Sequence, residues 1–195
     1  GVYVPASGTF TMKAGKIIGN TATNIGGGVY VNGNNAKFTM QGGTICDNRL
    51  PKAGASGGGV MVATYGSFEM DGATAKITGN NGPCGGGVNV NNNGTFTMKN
   101  GEISSNNTYF GGGVFIYAGV FTMEDGVICK NTAEKSGGAV YVYNSSFEMN
   151  GGTICENEAQ AGGAIFIDAG SFTLKNGEIS KNYSEYGGAV CNCYG

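Results

Sequence analysis

The 195-residue chain has no histidine, no tryptophan, three prolines and a single arginine, Arg49. Each shortage removes a class of function. Without histidine there is no Ser-His-Asp triad and no zinc site built on imidazole. With one arginine, no basic run and a formal net charge of -2, the electrostatic footprint of a nucleic-acid binder is missing. No apolar stretch approaches the roughly 20 residues a membrane helix needs, so no membrane insertion is expected, and no signal peptide is present. Charged residues make up 12% of the chain, too few for a fold that relies on salt bridges. Three prolines and the lack of a Gly-X-Y register exclude collagen.

Glycine is plentiful, 39 of 195 residues, and it is ordered. Gly26-Gly27-Gly28-Val29-Tyr30-Val31 returns as glycine-led copies that begin at Gly57, Gly85, Gly111, Gly137, Gly162 and Gly187. The spacings are 31, 28, 26, 26, 25 and 25, the signature of a stacked repeat array. Each copy is followed by a Phe-x-Met element (Phe10/Met12 to Phe147/Met149, then Phe172/Leu174) and by Ile-x-x-Asn (Ile17/Asn20 to Ile179/Asn182). All three segments alternate, are too short for helices and are separated by Gly, Asn and Ser turns. The expected fold is all-β: a right-handed parallel β-helix, one array over residues 1–195, with rungs of about 25 residues carrying three short strands each. Roughly seven to eight rungs would span about 35 Å.

Alternation assigns the faces. Both Val positions, the Phe, the Met and the Ile point inward as columns of like side chains. The glycine pairs turn the corner into the Val strand, where a Cβ would clash or need φ > 0. Asn20, Asn48, Asn80, Asn106, Asn131, Asn157 and Asn182 are expected to form a structural ladder at another corner, bonding turn backbone and one another. The longest spacing arises between Arg49 and Ser56, with a small further insertion at Ala73-Thr74; such insertions are expected on one side of a solenoid.

Gly137-Gly138-Ala139-Val140, Gly162-Gly163-Ala164-Ile165 and Gly187-Gly188-Ala189-Val190, combined with the hydrophobic-x-x-Asn element, resemble the repeats of chlamydial polymorphic outer-membrane proteins. They are similar to bacterial surface adhesins of the right-handed, pectate-lyase-like β-helix class. The resemblance covers essentially the whole chain. It implies a β-helix serving as a surface passenger, stalk or adhesin.

The middle residue of Val-x-Val points outward and forms the column Tyr3, Tyr30, Met61, Asn89, Phe115, Tyr141, Phe166, Cys191. Its aromatics (Tyr3, Tyr30, Phe115, Tyr141 and Phe166) are expected to face solvent as a sugar-stacking or protein-docking face, or else to stabilise the sheet by cross-rung stacking or to be covered by an absent neighbouring segment. The outward column Thr11, Thr39, Glu69, Thr97, Thr122, Glu148, Thr173 is interrupted by two glutamates, which argues against ice binding. No catalytic cluster is evident: Asp47, Asp71, Asp125 and Asp168 fall in different rungs and repeat positions, and Glu156/Glu158 read as a solvated turn. The glycines fit neither a phosphate loop nor a calcium-binding nonapeptide, so no metal and no cofactor are expected. Cys46, Cys129 and Cys155 share one repeat position and are expected as free thiols; Cys191 and Cys193 lie on one face with poor geometry for a bond, and Cys84 stands alone beside Pro83. Asn-x-Ser/Thr matches at Asn93, Asn106, Asn144 and Asn182 are those expected by chance in an Asn-rich chain.

The reading is a non-enzymatic extracellular or bacterial cell-surface structural protein (fibre, stalk or adhesin). The array starts inside a strand and has no polar cap at either end, so its partners are expected to be itself, end to end or laterally, or a host glycan or protein. The alternative is a carbohydrate-binding or polysaccharide-degrading β-helix that uses the outward aromatic column.

Overall fold

A computed structural model describes residues 1–51 and 56–193. The short alternating segments become strands as the periodicity requires. One rung runs Val29–Asn32, Lys37–Met40, Thr44–Cys46. Each strand then pairs in parallel with the strand at the same repeat position in the next rung, because a single turn of chain returns to it one layer along the axis. The result is an all-β parallel solenoid of about seven turns, with an eight-stranded Val face, a seven-stranded Phe face and a seven-stranded Ile face. Register is kept throughout: Val88 pairs with Val60 and Val114, Phe96 with Phe68 and Phe121, Ile103 with Ile77 and Ile128.

In-register pairing makes the core a set of columns. Rings from Phe10 to Phe172 stack face to face, the six successive centroid distances lying between 4.7 and 5.1 Å. Phe38, Phe68, Phe96, Phe121 and Phe147 are fully buried, and the Met, Val and Ile columns fill the remaining interior. Burial of one such ring stabilises the fold by about 1.5–3 kcal/mol, and each stacked pair adds about 0.5–1.5 kcal/mol.

The three strands expected per rung are present, and a further side is added to them. A fourth side closes each turn between the ladder Asn and the glycine corner. It forms a three-stranded sheet from Asn107–Phe110, Thr132–Ser136 and Glu158–Ala161. In the other rungs the same side is held by parallel bridges at its two ends, Thr21 to Arg49 to Asn81 and Ile25 to Ser56 to Cys84. Its inward residues are Leu50, Thr108, Ala133 and Ala159, all buried. Apart from matches between adjacent rungs, such as the register pair Ala133 and Ala159, no residue type is kept along this side.

The insertions do not share one side. Residues between Arg49 and Ser56 lengthen the fourth side, whereas Ala73-Thr74 lengthens the corner between Ser67–Met70 and Lys76–Thr78. Residues 52–55 of the first insertion lie outside the described residues.

Left-handed backbone recurs at all four corners, and the two that flank the fourth side keep it at one fixed repeat position. The first glycine of every triple has φ between 60° and 81°, and a Cβ on Gly26 would lie 2.7 Å from the Tyr30 Cβ. The residue before each ladder Asn is also left-handed, yet only Gly19 and Gly79 are glycines there. Asp47, Ser105, Lys130, Glu156 and Lys181 adopt φ of 55–57°.

Candidate functional site

The Asn ladder accounts for most of the buried polar chemistry. Asn48, Asn80, Asn106, Asn131 and Asn157 are fully or almost fully buried. Each Nδ2 donates to Oδ1 of the next ladder Asn at 2.9–3.0 Å, from Asn20 to Asn182. The same Oδ1 accepts the preceding ladder residue's backbone N–H at 2.9–3.1 Å. From Asn48 onward Nδ2 also donates to the Ile carbonyl of the previous rung, as Asn106 does to Ile77 at 3.0 Å. Each such amide therefore satisfies two backbone groups at a turn and joins its neighbours above and below; the amide-to-amide bonds all run toward the next rung, and the Nδ2–Ile bond runs back to the previous one.

Over much of its length the outward column is stacked and covered, the second of the two expectations for it, and not an open face. Tyr3 is exposed and Tyr30 and Phe115 are partly so, but Met61, Asn89, Tyr141 and Phe166 are 2%, 1%, 8% and 8% exposed. Two features cover them. The left-handed glycine corner folds directly over the outward side chain of its own strand, and the end of the fourth side lies alongside: the Phe110 ring meets Tyr141 edge-on at 5.5 Å, and Asn89 Nδ2 donates to the Cys84 carbonyl. Within the column the aromatics stack, Tyr3 on Tyr30 at 5.3 Å, Phe115 on Tyr141 at 5.2 Å, Tyr141 on Phe166 at 5.1 Å. Tyr141 donates its hydroxyl to Asp168 Oδ2 at 2.9 Å; burial and that carboxylate push its pKa up.

A second outward column, two residues further along the Val face, was missed by the motif reading because it lies just past Val-x-Val. It runs Asn32, Ala63, Asn91, Tyr117, Tyr143, Asp168. Tyr117 and Tyr143 are exposed and stacked at 5.2 Å with an interplanar angle of 14°. Beside them a shallow groove of about 550 Å³ is lined by Asn93, Val120, Asn144, Ser146 and Ser171 over a floor of Ala and Gly. Asn93 and Asn144 are exposed there with left-handed φ, whereas the other two Asn-x-Ser/Thr asparagines, Asn106 and Asn182, belong to the ladder. Asn91, in register with Tyr117, holds a buried Oδ1 without a hydrogen-bond partner, and Asn89 Oδ1 is in the same state.

A second concavity of about 530 Å³ lies on the fourth side, lined among the described residues by Leu50, Pro51, Pro83, Cys84, Tyr109 and Phe110, with Glu134 at its rim. The two glutamates of the Thr column answer lysines of the next rung: Glu69 pairs with Lys99 at 3.3 Å and Glu148 with Lys175 at 2.9 Å. Lys76 and Glu102 pair across rungs at 2.8 Å, and hydrogen bonds from Lys76 and Ser104 hold the Glu102 carboxyl below its usual range.

All six cysteines are free. Cys129 and Cys155 are register partners, and burial, helped by Cys155, pushes the Cys129 thiol up to about 11. Burial likewise raises Cys46, Cys84 and Cys155, and raises Cys191, whose sulfur lies 3.6 Å from that of Cys193. Thiols held protonated are poor nucleophiles. Among the described residues no group of three or more His, Cys, Asp or Glu is gathered to hold a metal ion, and no helix is long and apolar enough to cross a membrane. No protein-family model, curated protein or solved structure matches the chain.

Proposed function

We propose that this chain is a structural β-helix rod of an extracellular or bacterial cell-surface protein, a fibre, stalk or adhesin shaft, and not an enzyme. The observation that carries this reading is the unbroken Asn ladder running beside an unbroken Phe stack from the first rung to the last. The buried amides bind rung to rung, so the chemistry the sequence repeats most faithfully supports length. The parallel in-register faces also offer a template on which further rungs, or second copies, add in the same sense. Neutral, weakly charged outer faces suit a shaft exposed to solvent and to host surfaces.

Electron microscopy of the purified native protein at several concentrations, with antibody labelling of intact cells, tests the proposal. Slender rods or filaments together with label on unbroken cells are expected. Compact particles, or label that appears only after permeabilisation, overturn it.

A further inference from the structure

The exposed tyrosine pair and the groove beside it point to a ligand site that the rod reading does not require. Tyr117 and Tyr143 stack with ring centroids 5.2 Å apart at an interplanar angle of 14°, and they are 42% and 39% exposed. Each residue therefore leaves part of its surface uncovered, and the pair forms an exposed aromatic platform. Amide and hydroxyl side chains flank it: Asn93, Asn144, Ser146 and Ser171 line the groove, and no Lys, Arg, Asp or Glu does. The carboxylate of Asp168, one rung beyond Tyr143, is already engaged by the Tyr141 hydroxyl. At the other end of the platform Asn91 holds an acceptor oxygen that no group of the protein satisfies.

We propose that Tyr117, Tyr143 and this groove bind a neutral linear polysaccharide lying along the solenoid axis. A pyranose ring has apolar C–H faces that pack on an aromatic ring and a rim of hydroxyls that need amide and hydroxyl partners. An uncharged groove disfavours an anionic ligand, which would lose its hydration without gaining a counter-charge. Register supplies the third match. An extended pyranose chain advances per sugar by close to one rung spacing, about 4.8 Å, so two successive sugars can meet Tyr117 and Tyr143 in adjacent rungs. The first rungs lack the site, since Asn32 and Ala63 stand where Tyr117 and Tyr143 stand later.

Affinity electrophoresis of the whole chain through gels containing β-1,4-glucan, β-1,4-xylan or β-1,4-mannan, with polygalacturonate and heparin as anionic comparisons, tests the proposal. Retardation by at least one neutral polysaccharide is expected, weakened at least tenfold in the double variant Tyr117→Ala/Tyr143→Ala. Tyr65→Ala, an exposed tyrosine outside the site, keeps full retardation. Val120→Arg, which plugs the groove from an exposed position, weakens retardation with both rings in place and guards against a folding defect in the double variant. The proposal is overturned if no neutral polysaccharide retards the native chain. Retention by the anionic polymers alone, or undiminished retention in both site variants, overturns it too. None of these outcomes bears on the rod, which microscopy tests separately.

Discussion

The first four glycine corners read Gly-Gly-Gly and the last three read Gly-Gly-Ala, and the two halves of the rod differ in more than that methyl. Up to the third corner the rungs are longer, the fourth side is held only at its ends, and the outward residues grade from Tyr30 through Met61 to Asn89. From the fourth side that precedes Gly111 onward the rungs settle to 26 and 25 residues, the fourth side is a sheet from Asn107 to Ala161, and aromatics pair on both outward columns. The interior columns pass through both halves with aliphatic exchanges such as Ile for Val and Leu174 for Met. Interior repetition thus fixes the solenoid, while rung length and outer chemistry vary independently upon it.

The largest expected effect comes from cutting what the halves share. Asn131→Ala leaves the buried backbone N–H of Asn106 and the Ile103 carbonyl without their partners and breaks the ladder on both sides. At about 1–3 kcal/mol for each orphaned group, the loss is roughly 3–5 kcal/mol in chemical denaturation. Asn80→Ala in the first half is expected to cost the same. A difference of more than about 2 kcal/mol between them would show that the halves are not equally laddered.

Gly112→Ala and Gly113→Ala separate the corner's two demands. A Cβ at Gly112 would lie within contact of the Gly138 carbonyl, which belongs to backbone and cannot move aside. Roughly 3 kcal/mol is expected, in the range of core overpacking. At Gly113 the nearest atom is the Ala139 carbonyl at 2.8 Å, a crowding that the Ala139 and Ala164 rungs accommodate with fully buried methyls. Gly113→Ala is therefore expected to cost about 1 kcal/mol or less. Equal losses for the two variants would erase the distinction between the halves at this corner.

These contrasts also show how far the sequence could be read. The solenoid, its inward columns and the asparagine ladder were legible because each occupies one repeat position with one side-chain type. The fourth side was not: Thr-Ala-Glu-Lys-Ser and Asn-Thr-Tyr-Phe share no residue pattern, and only the nearly constant gap from ladder Asn to glycine corner hinted at a strand. The sequence left open whether Tyr141 and Phe166 are exposed or covered, for a related reason. Alternation separates the inside of the solenoid from its outside, but it carries no information about a neighbouring segment folding over the outside. Tyr117 and Tyr143 escaped notice because two occurrences in one column, among Asn, Ala and Asp, do not make a motif.

Smaller effects refine the picture. Lys130→Gly and Glu156→Gly place at second-half corners the residue that Gly19 and Gly79 already supply in the first, relieving left-handed strain at φ of 57° and 55°. Each is expected to raise stability by up to about 1 kcal/mol, read as an upward shift in Tm. An unchanged or lower Tm would mean that the side chains compensate for the strain.

The smallest effect belongs to Glu102. Its pKa is lowered in the folded state, so its contribution is present above the unfolded carboxylate range and disappears as pH falls through the folded value. Because the pair with Lys76 is solvent-exposed, Glu102→Gln is expected to cost less than about 1 kcal/mol at neutral pH. The difference from the native chain should vanish in acid, which denaturation at neutral and at acidic pH measures.

The one-way direction of the amide ladder and of the parallel sheets has a mechanical consequence. Bonds between rungs lie along the axis, so a pull on the ends tears layers apart one after another instead of shearing many bonds at once. Each freed turn, such as the 25 residues from Gly137 to Gly162, releases roughly 85 Å of slack at about 3.4 Å per residue. Under tension such a solenoid would lengthen in regular steps, yielding turn by turn before it parts.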